Sequence, residues 1–152
     1  MLVAKGVKPS IPYQHKFKNF YLFGAYSPSG DQFTLELPHC NADCFQIYLD
    51  EFSKHKPEQL KIVFLDNGAF HKASQLIIPD NVILSFIPPY SPELNPAEKV
   101  WDFIKDKLAN KIYNTLESLS DAVAEIVANL KSEAIKSLTS YKYYVENFNA
   151  VF

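Results

Sequence analysis

The sequence predicts an α/β fold in which a mixed sheet is flanked by helices. Three observations lead to this prediction. The first third of the chain reads as a hairpin, the middle holds two short apolar runs, and the periodicity is helical from Asn95 onward. Strands separated by helical connections favour a sheet with parallel pairs. At 152 residues, one domain with a substantial core is expected.

An antiparallel hairpin is predicted near the start of the chain. Residues 17–26 are rich in aromatic side chains, and Ser27-Pro28-Ser29-Gly30 then signals a turn. Apolar and polar residues alternate after the turn, which is the period of a half-buried strand. The apolar members of this alternation are Phe33, Leu35 and Leu37.

A helix and two buried strands follow. Asn41 is expected to cap a helix with one apolar stripe, formed by Phe45, Tyr48, Leu49 and Phe52. Residues 61–66 and 82–87 are short, nearly continuous apolar runs, typical of strands that are buried on both faces. A short helix is expected between them.

Three helices are predicted after Asn95. The first carries a stripe of Ala97, Val100, Trp101, Ile104 and Leu108, and Trp101 is assigned to the core. The second is expected to begin at Asn114, with Glu117 three residues later, and its stripe is Leu116, Leu119, Val123, Ile126, Val127 and Leu130. The last is expected to carry Ile135, Leu138, Tyr141, Val145 and Phe148.

Composition favours a soluble, cytoplasmic protein. No apolar run approaches the roughly 20 residues of a membrane span, and the first ten residues lack the apolar centre of a signal peptide. Cys40 and Cys44 lack CxxC spacing, so free thiols are expected rather than a disulfide or a zinc site.

The charge is unevenly distributed. All fifteen basic residues are lysines, and four of them lie in the first thirty residues, which contain no acid. That segment therefore carries +4, whereas the other eleven lysines face seventeen acids and give −6. A basic segment of this kind suits either phosphate contacts or simple solvation, and the net charge of −2 does not decide between them.

Asp66 is the first candidate functional residue. It ends the apolar run KIVFLD, and ligands bind at the carboxyl ends of strands in open α/β sheets. The alternative is purely structural, because Asp66, Asn67 and Gly68 are all residue types that favour turns.

Glu98 is the second candidate. With Asn95 as the helix cap and Pro96 at the first helical position, Glu98 stands where a capping glutamate is favoured. A cap does not account for the upstream prolines Pro88, Pro89 and Pro92, which restrict the loop and would hold a ligand in place. Two carboxylates that follow strands of one sheet suit Mg²⁺, a hard cation that prefers oxygen ligands.

Two motifs, VFLDNGAFHKA and IPPYSPELNPAEKVW, resemble those of DDE transposases in the bacterial insertion-sequence branch related to mariner elements. The segments KGVKP, YLFGAYSPSG and FQIYLDEF also resemble the usual layout of this family, so the likeness covers essentially the whole chain.

The resemblance implies a ribonuclease H-like fold and a DNA-cutting and DNA-joining site with two Mg²⁺ or Mn²⁺ ions held by three acids. Asp66 would be the second acid and Glu98 the third, with Asn67 and His71 supporting them. Lys105 and Lys72 would meet DNA phosphates, although a solvated helix lysine is the simpler interpretation of Lys105. Transposon ends and target DNA would be the partners.

The chain departs from the family at its start. In the family the first acid lies on the opening strand, shortly before the KGxxP segment, but here only Met1-Leu-Val-Ala precedes Lys5. The sequence therefore predicts that the opening strand and its aspartate are both absent, and that the catalytic domain is truncated. Asp31 and Asp43 lack the strand context to replace that acid.

Two functional hypotheses follow. In the first, the chain retains transposase chemistry but binds metal weakly and is impaired alone, unless a complementing polypeptide supplies the missing acid. In the second, it is a non-catalytic remnant that at most binds DNA or dimerises. The aromatic residues Tyr141, Tyr143, Tyr144 and Phe148 suit a contact surface, and ordinary core packing explains them equally simply.

Overall fold

The computed structural model describes residues 2–7, 20–68, 74–91 and 94–140, with residues 2–7 described by their backbone alone. The strands are β1 (Leu2–Val7), β2 (Tyr21–Tyr26), β3 (Gln32–Leu37), β4 (Lys61–Leu65) and β5 (Val82–Phe86). The helices are α1 (Ala42–Lys54), α2 (Ala97–Leu108), α3 (Leu116–Asn129) and α4 (Ser132–Thr139).

The strands form one mixed sheet in the order β3-β2-β1-β4-β5. The hairpin prediction is confirmed, because β2 and β3 pair antiparallel from Tyr21 opposite Leu37 to Tyr26 opposite Gln32. β1 is antiparallel to β2 and parallel to β4, and β4 is parallel to β5. The predicted mixed α/β sheet is thus confirmed.

The prediction that the opening strand is absent is wrong. β1 occupies the central position of the sheet, with Leu2 opposite both Tyr26 of β2 and Phe64 of β4. Its sequence, LVAKGV, has no apolar alternation and is interrupted by Gly6, so the pattern alone did not indicate a strand. Pairing on both sides outweighs this weak local preference. The segment nevertheless contains no acidic residue.

The two faces of the sheet carry separate cores. On one face, α1 buries Phe45, Tyr48, Leu49 and Phe52 against Phe23 and Ala25 of β2. The predicted stripe and the predicted cap are confirmed, because Asn41 Oδ1 accepts a hydrogen bond from Cys44 N at 2.9 Å. Both cysteines are free thiols, as expected.

On the other face, Leu22 and Tyr26 of β2 meet the three C-terminal helices. The predicted stripe of α2 is confirmed residue for residue, and Trp101 is 1% exposed. The polar side of β3 meets α3, since Ser120 Oγ donates to Glu36 and Gln32 Nε2 donates to the carbonyl oxygens of Val127 and Leu130. A helical layer therefore covers this face of the hairpin.

Two further expectations need correction. β5 is an edge strand and is not buried on both faces, since Ile83 is 47% exposed. The short helix expected between β4 and β5 does not lie in residues 66–68 or 74–81, and the rest of this connection is outside the described residues. The cap of α3 is Thr115 rather than Asn114, and Thr115 and Ser118 form a reciprocal capping box that satisfies the first turn.

The predicted last helix is confirmed as far as Thr139, with Ile135 in the core. The expectations for Tyr141, Tyr143, Tyr144, Val145 and Phe148 lie outside the described residues. No helix within the described ranges is long and apolar enough to cross a membrane.

Candidate active site at the carboxyl ends of β4 and β5

The parallel strands β4 and β5 end at the same edge of the sheet. Their register runs without a shift from Lys61 opposite Val82 to Leu65 opposite Phe86. The ladder continues one step further, because Ile87 N donates to Leu65 O at 2.8 Å. The loops that carry Asp66 and Glu98 therefore leave the sheet side by side.

Asp66 is the first residue of the loop after β4 and is half-buried. Its Oδ1 accepts a hydrogen bond from Gly68 N at 3.2 Å, so the interpretation of this segment as a turn is supported. This hydrogen bond occupies one acceptor position of the carboxylate, whose two oxygens together offer about four. Both roles considered for Asp66 are therefore compatible.

Asn67 connects the two loops directly. Its Nδ2 donates to the carbonyl oxygen of Ile87 at 2.5 Å. This bond fixes the Asp66 turn to the start of the proline-rich loop that leads to Glu98. The sequence suggested a supporting role for Asn67, but not this partner, because Ile87 is twenty residues away along the chain.

The start of α2 holds Glu98 in its first turn. Asn95 is 3% exposed, and its Oδ1 accepts a hydrogen bond from Ala97 N at 3.2 Å. Pro96 already has helical backbone angles, φ −62° and ψ −18°, and Glu98 N donates to Asn95 O at 3.1 Å. The predicted cap at Asn95 is thus supported, and the half-buried Glu98 lies where the helix dipole favours an anion.

The loop before α2 contains a backbone conformation that is unfavourable outside glycine. Tyr90 has φ +58°, in the left-handed region, and its side chain is fully exposed. Such a conformation costs about 1 kcal/mol for a residue with a Cβ, so the neighbouring structure must hold it. Ser91 supports the bend, since its Oγ donates to Pro89 O at 3.3 Å.

The other predicted site residues are only partly placed. Lys105 lies on α2, seven residues after Glu98, with its Nζ 3.7 Å from Asp102 Oδ1. Its side chain is 53% exposed, which suits a solvated lysine and a phosphate contact equally well. His71 and Lys72 lie outside the described residues.

The carboxylate oxygens of Asp66 and Glu98 are the type of ligand that a hard divalent cation prefers. Two carboxylates are, however, fewer than a two-metal centre needs. Mg²⁺ in proteins is commonly bound by one or two carboxylates, with water or substrate phosphates as the remaining ligands. Within the described part of the chain, no three His, Cys, Asp or Glu residues form a group that could hold a metal ion. Two carboxylates are a donor set that suits a single divalent cation.

Comparison with known proteins identifies the family and the fold of the chain. The family model described as DDE superfamily endonuclease matches residues 2–120. The uncharacterized protein y4pE/y4sA of Sinorhizobium fredii (strain NBRC 101917 / NGR234) is 37% identical over 102 residues, covering 65% of this chain and 76% of that protein.

Solved structures share the fold. The chain of the Mos1 transposase paired-end complex with left transposon end superposes with a TM-score of 0.68 at 20% identity. That match covers 91% of this chain and 51% of the Mos1 chain, so the chain spans about half of its length. The catalytic core domain of BIV integrase gives a TM-score of 0.53 at 15% identity, covering 94% of this chain and 97% of that one.

The sheet order and these structural matches define a ribonuclease H-like core of the kind found in transposases and integrases. Because the family model covers most of the sequence, the chain belongs to the DDE superfamily endonuclease family.

Proposed function

We propose that this chain carries the catalytic site of a transposase-type enzyme that cuts and joins DNA strands. One observation carries the proposal. The parallel strands β4 and β5 of the ribonuclease H-like sheet end at the same edge, and they are followed by Asp66 and by the loop that leads to Glu98. The solved structures that share this fold include the Mos1 Strand Transfer Complex, which supports DNA as the substrate.

In this proposal, Asp66 and Glu98 hold Mg²⁺ or Mn²⁺. One such cation would stabilise the negative charge that develops on the phosphodiester oxygens during in-line displacement, and the second cation of a two-metal centre would need a further acid. Asn67 positions the Asp66 turn through Ile87, and the cap at Asn95 positions Glu98. Preorganised loops of this kind keep ligands close to their working geometry without a cost at the moment of binding.

DNA would contact the candidate site through lysines. Lys105 is proposed to meet a phosphate as a point charge, and Lys72 and His71 keep their proposed roles beside Asp66. A homodimer or a complementing transposase polypeptide is the proposed protein partner. Because β1 supplies no acid, we propose that the chain alone binds metal weakly and is impaired in strand transfer.

A second candidate function follows from the lack of an acid in β1. If two carboxylates are too few to retain a cation, the chain is a non-catalytic family member that acts through DNA binding or dimerisation. The observation that favours it is the lack of any group of three metal-ligating side chains within the described residues.

Thermal unfolding with and without about 10 mM Mg²⁺ separates the two candidates. A site with millimolar affinity adds on the order of 1 kcal/mol to the free energy of unfolding by mass action. We expect this gain in the native chain and its loss in Asp66→Asn and Glu98→Gln. Asp102→Asn is the matched control, since Asp102 lies one turn beyond Glu98 with a side chain that is 71% exposed.

A nicking assay tests the chemistry itself. DNA that carries the terminal repeats of the element is incubated with protein and Mn²⁺, and cut strands are counted. Cleavage that is abolished by Asp66→Asn supports the proposed site, and cleavage that persists in this variant contradicts it. An unchanged melting temperature in Mg²⁺ for every variant favours the second candidate.

A further inference from the structure

We propose that the outer edge of β5 pairs antiparallel with the same edge of a second copy of this chain, around a two-fold axis at Leu84. β5 is the last strand of the sheet, so a second β5 would extend the sheet across the axis. This surface would be the interface of the homodimer in the proposed function, on which the inference rests. It does not involve the metal site.

The backbone of Leu84 points away from β4. At the start of β5, Lys61 N donates to Asn81 O at 2.8 Å, and at its end Ile87 N donates to Leu65 O at 2.8 Å. The odd-numbered residues of this segment therefore pair with β4. Alternate residues of a parallel ladder direct their N–H and C=O groups to opposite sides of the strand, so those of Leu84 reach the outer edge. Within the described ranges, these two groups make no hydrogen bond.

β5 lacks the features that usually keep an edge strand from pairing. Its sequence, VILSF, contains no charged residue and no proline. Its register with β4 runs through all five positions without a bulge. Charges, prolines and bulges are the common means of protecting an exposed edge. Ile83, which is 47% exposed, adds apolar surface on one face of the strand. The edge is thus suited to the addition of another strand.

The opposite edge of the sheet, β3, is protected. Glu36 places a carboxylate on this strand, and both of its oxygens accept from Ser120 Oγ of α3, at 2.9 and 2.7 Å. Gln32 Nε2 donates to carbonyl oxygens at the end of the same helix. A charge and a neighbouring helix oppose strand addition here. Pairing of β5 with β3 of another copy would also be heterologous, which produces rings or open fibres. These facts favour β5 as the partner of β5.

The sequence of β5 is self-complementary about Leu84. In an antiparallel pair centred on this residue, the two copies of Leu84 face each other and exchange both backbone hydrogen bonds. Ile83 then faces Ser85 of the second copy, and Val82 faces Phe86 of the second copy. No pair brings two charges together, and apolar cross-strand pairs stabilise a sheet. A two-fold contact of this kind closes on itself and gives a dimer.

Sedimentation of the full chain from about 10 µM to about 1 mM tests the dimer. Two five-residue strands bury less than the about 1,600 Å² of a standard interface, so a dimer that depends on concentration is expected. Ile83→Lys with Ser85→Lys places like charges opposite each other and should weaken dimerisation at least about tenfold. Ile83→Lys with Ser85→Glu places opposite charges there and should restore it. Ile112→Lys, at a position that is 88% exposed after α2, is the control and should have no effect.

Cysteine pairs test the register by a second measurement. In a background where Cys40 and Cys44 are replaced by serine and alanine, a mixture of Ile83→Cys and Ser85→Cys proteins should form disulfide-linked dimers under mild oxidation. Directly opposed positions have Cα separations that suit a disulfide. Each protein alone should crosslink at least about tenfold less, because its own cysteines lie diagonally, about 7–8 Å apart. Equal crosslinking in the mixture and in the separate proteins would contradict this register.

The outcomes separate this interface from the rest of the proposed function. A chain that stays monomeric at about 1 mM overturns both the interface and the proposed homodimer. A dimer of equal affinity in the Lys–Lys and Lys–Glu variants overturns the interface alone, since another surface would then hold the copies together. Asp66→Asn should dimerise like the native chain. Nicking that persists in a dimeric Asp66→Asn protein would therefore contradict the metal site and leave the β5 interface supported.

Discussion

Gly24 shows how a single residue determines the packing above the sheet. A Cβ at this position would be 2.7 Å from the Tyr26 hydroxyl and 2.8 Å from Trp101. The glycine therefore lets the edge-to-face pair of Tyr26 and Trp101, with ring centroids 5.5 Å apart, pack closely against β2. The sequence identified Trp101 as core but gave no sign of Gly24, because a contact across 77 residues leaves no local pattern.

The substitution Gly24→Ala tests this packing. We expect a loss of about 1–3 kcal/mol in the free energy of unfolding, because the added methyl group overpacks a site with no room. Urea unfolding measures the loss. Gly24→Ala combined with Trp101→Phe should lose less than the sum of the single variants, since the smaller ring leaves space. Simple additivity would indicate that the two residues do not compete for the same volume.

At the same scale, the local placement of the two candidate residues was predictable. Asp66 follows a strand and Glu98 lies in the first turn of a helix with a recognisable cap, as the sequence indicated. The bond from Asn67 to Ile87 was not found, because the register of β4 and β5 brings these residues together. Sequence patterns report local preference, whereas a contact between a site residue and a residue far along the chain depends on the tertiary structure.

Among the elements, the hairpin turn between β2 and β3 contacts helices on both faces of the sheet. Gly30, at φ +92°, lies so close to Ser132 of α4 that a Cβ would not fit. Thr139 Oγ1, at the other end of α4, donates to Ser27 O at 3.3 Å. Asp31 adds an ion pair to Lys56 at 2.8 Å, beyond the end of α1. The turn thereby joins helices from both layers.

The Asp31 contact gives this turn a defined pH dependence. Burial raises the pKa of Asp31, but hydrogen bonds from Lys56 and His55 outweigh this effect and hold the pKa below its ordinary value. A carboxylate with a lowered pKa in the folded state stabilises the fold above its unfolded pKa of about 3.9, and this stabilisation is lost as the pH falls through the folded pKa.

We therefore expect Asp31→Asn to lower the free energy of unfolding at neutral pH by on the order of 1 kcal/mol. The difference from the native chain should shrink below about pH 4, as Asp31 itself becomes protonated. Melting temperatures measured from pH 7 to pH 3 test both the loss at neutral pH and its decrease in acid. Glu51→Gln, which removes the exposed pair with Lys54, is the control and should have little effect. A difference that stays constant down to pH 3 would contradict the assignment.

Element prediction succeeded where the periodicity was long and failed where it was short. The stripe of α2 was correct in every member, because five apolar residues at helical spacing leave one interpretation. β1 was missed because six residues with one lysine and one glycine carry almost no pattern. The cap of α3 was displaced by one residue, since Asn114 and Thr115 are both good caps and Ser118 decided between them.

At the scale of the whole molecule, the sheet couples two cores that have no buried residue in common. Alternate residues of β2 point to opposite faces, so Phe23 and Ala25 pack under α1 while Leu22 and Tyr26 pack under α2. Loss of packing on one face should therefore loosen the strand that the other face needs. Cooperative unfolding of a small domain is expected under these conditions.

Leu49→Ala tests the coupling, because Leu49 is 1% exposed in the α1 core and Trp101, the only tryptophan, reports on the other core. We expect a loss of about 2–5 kcal/mol. The urea midpoint seen by Trp101 fluorescence should fall by as much as the midpoint seen by far-UV circular dichroism. Ile47→Ala, at a position of the same helix that is 49% exposed, should shift both midpoints little. A Trp101 transition that stays in place while the circular dichroism transition moves would mean that the two faces unfold independently, and a cation held at the carboxyl ends of β4 and β5 would then stabilise only one of them.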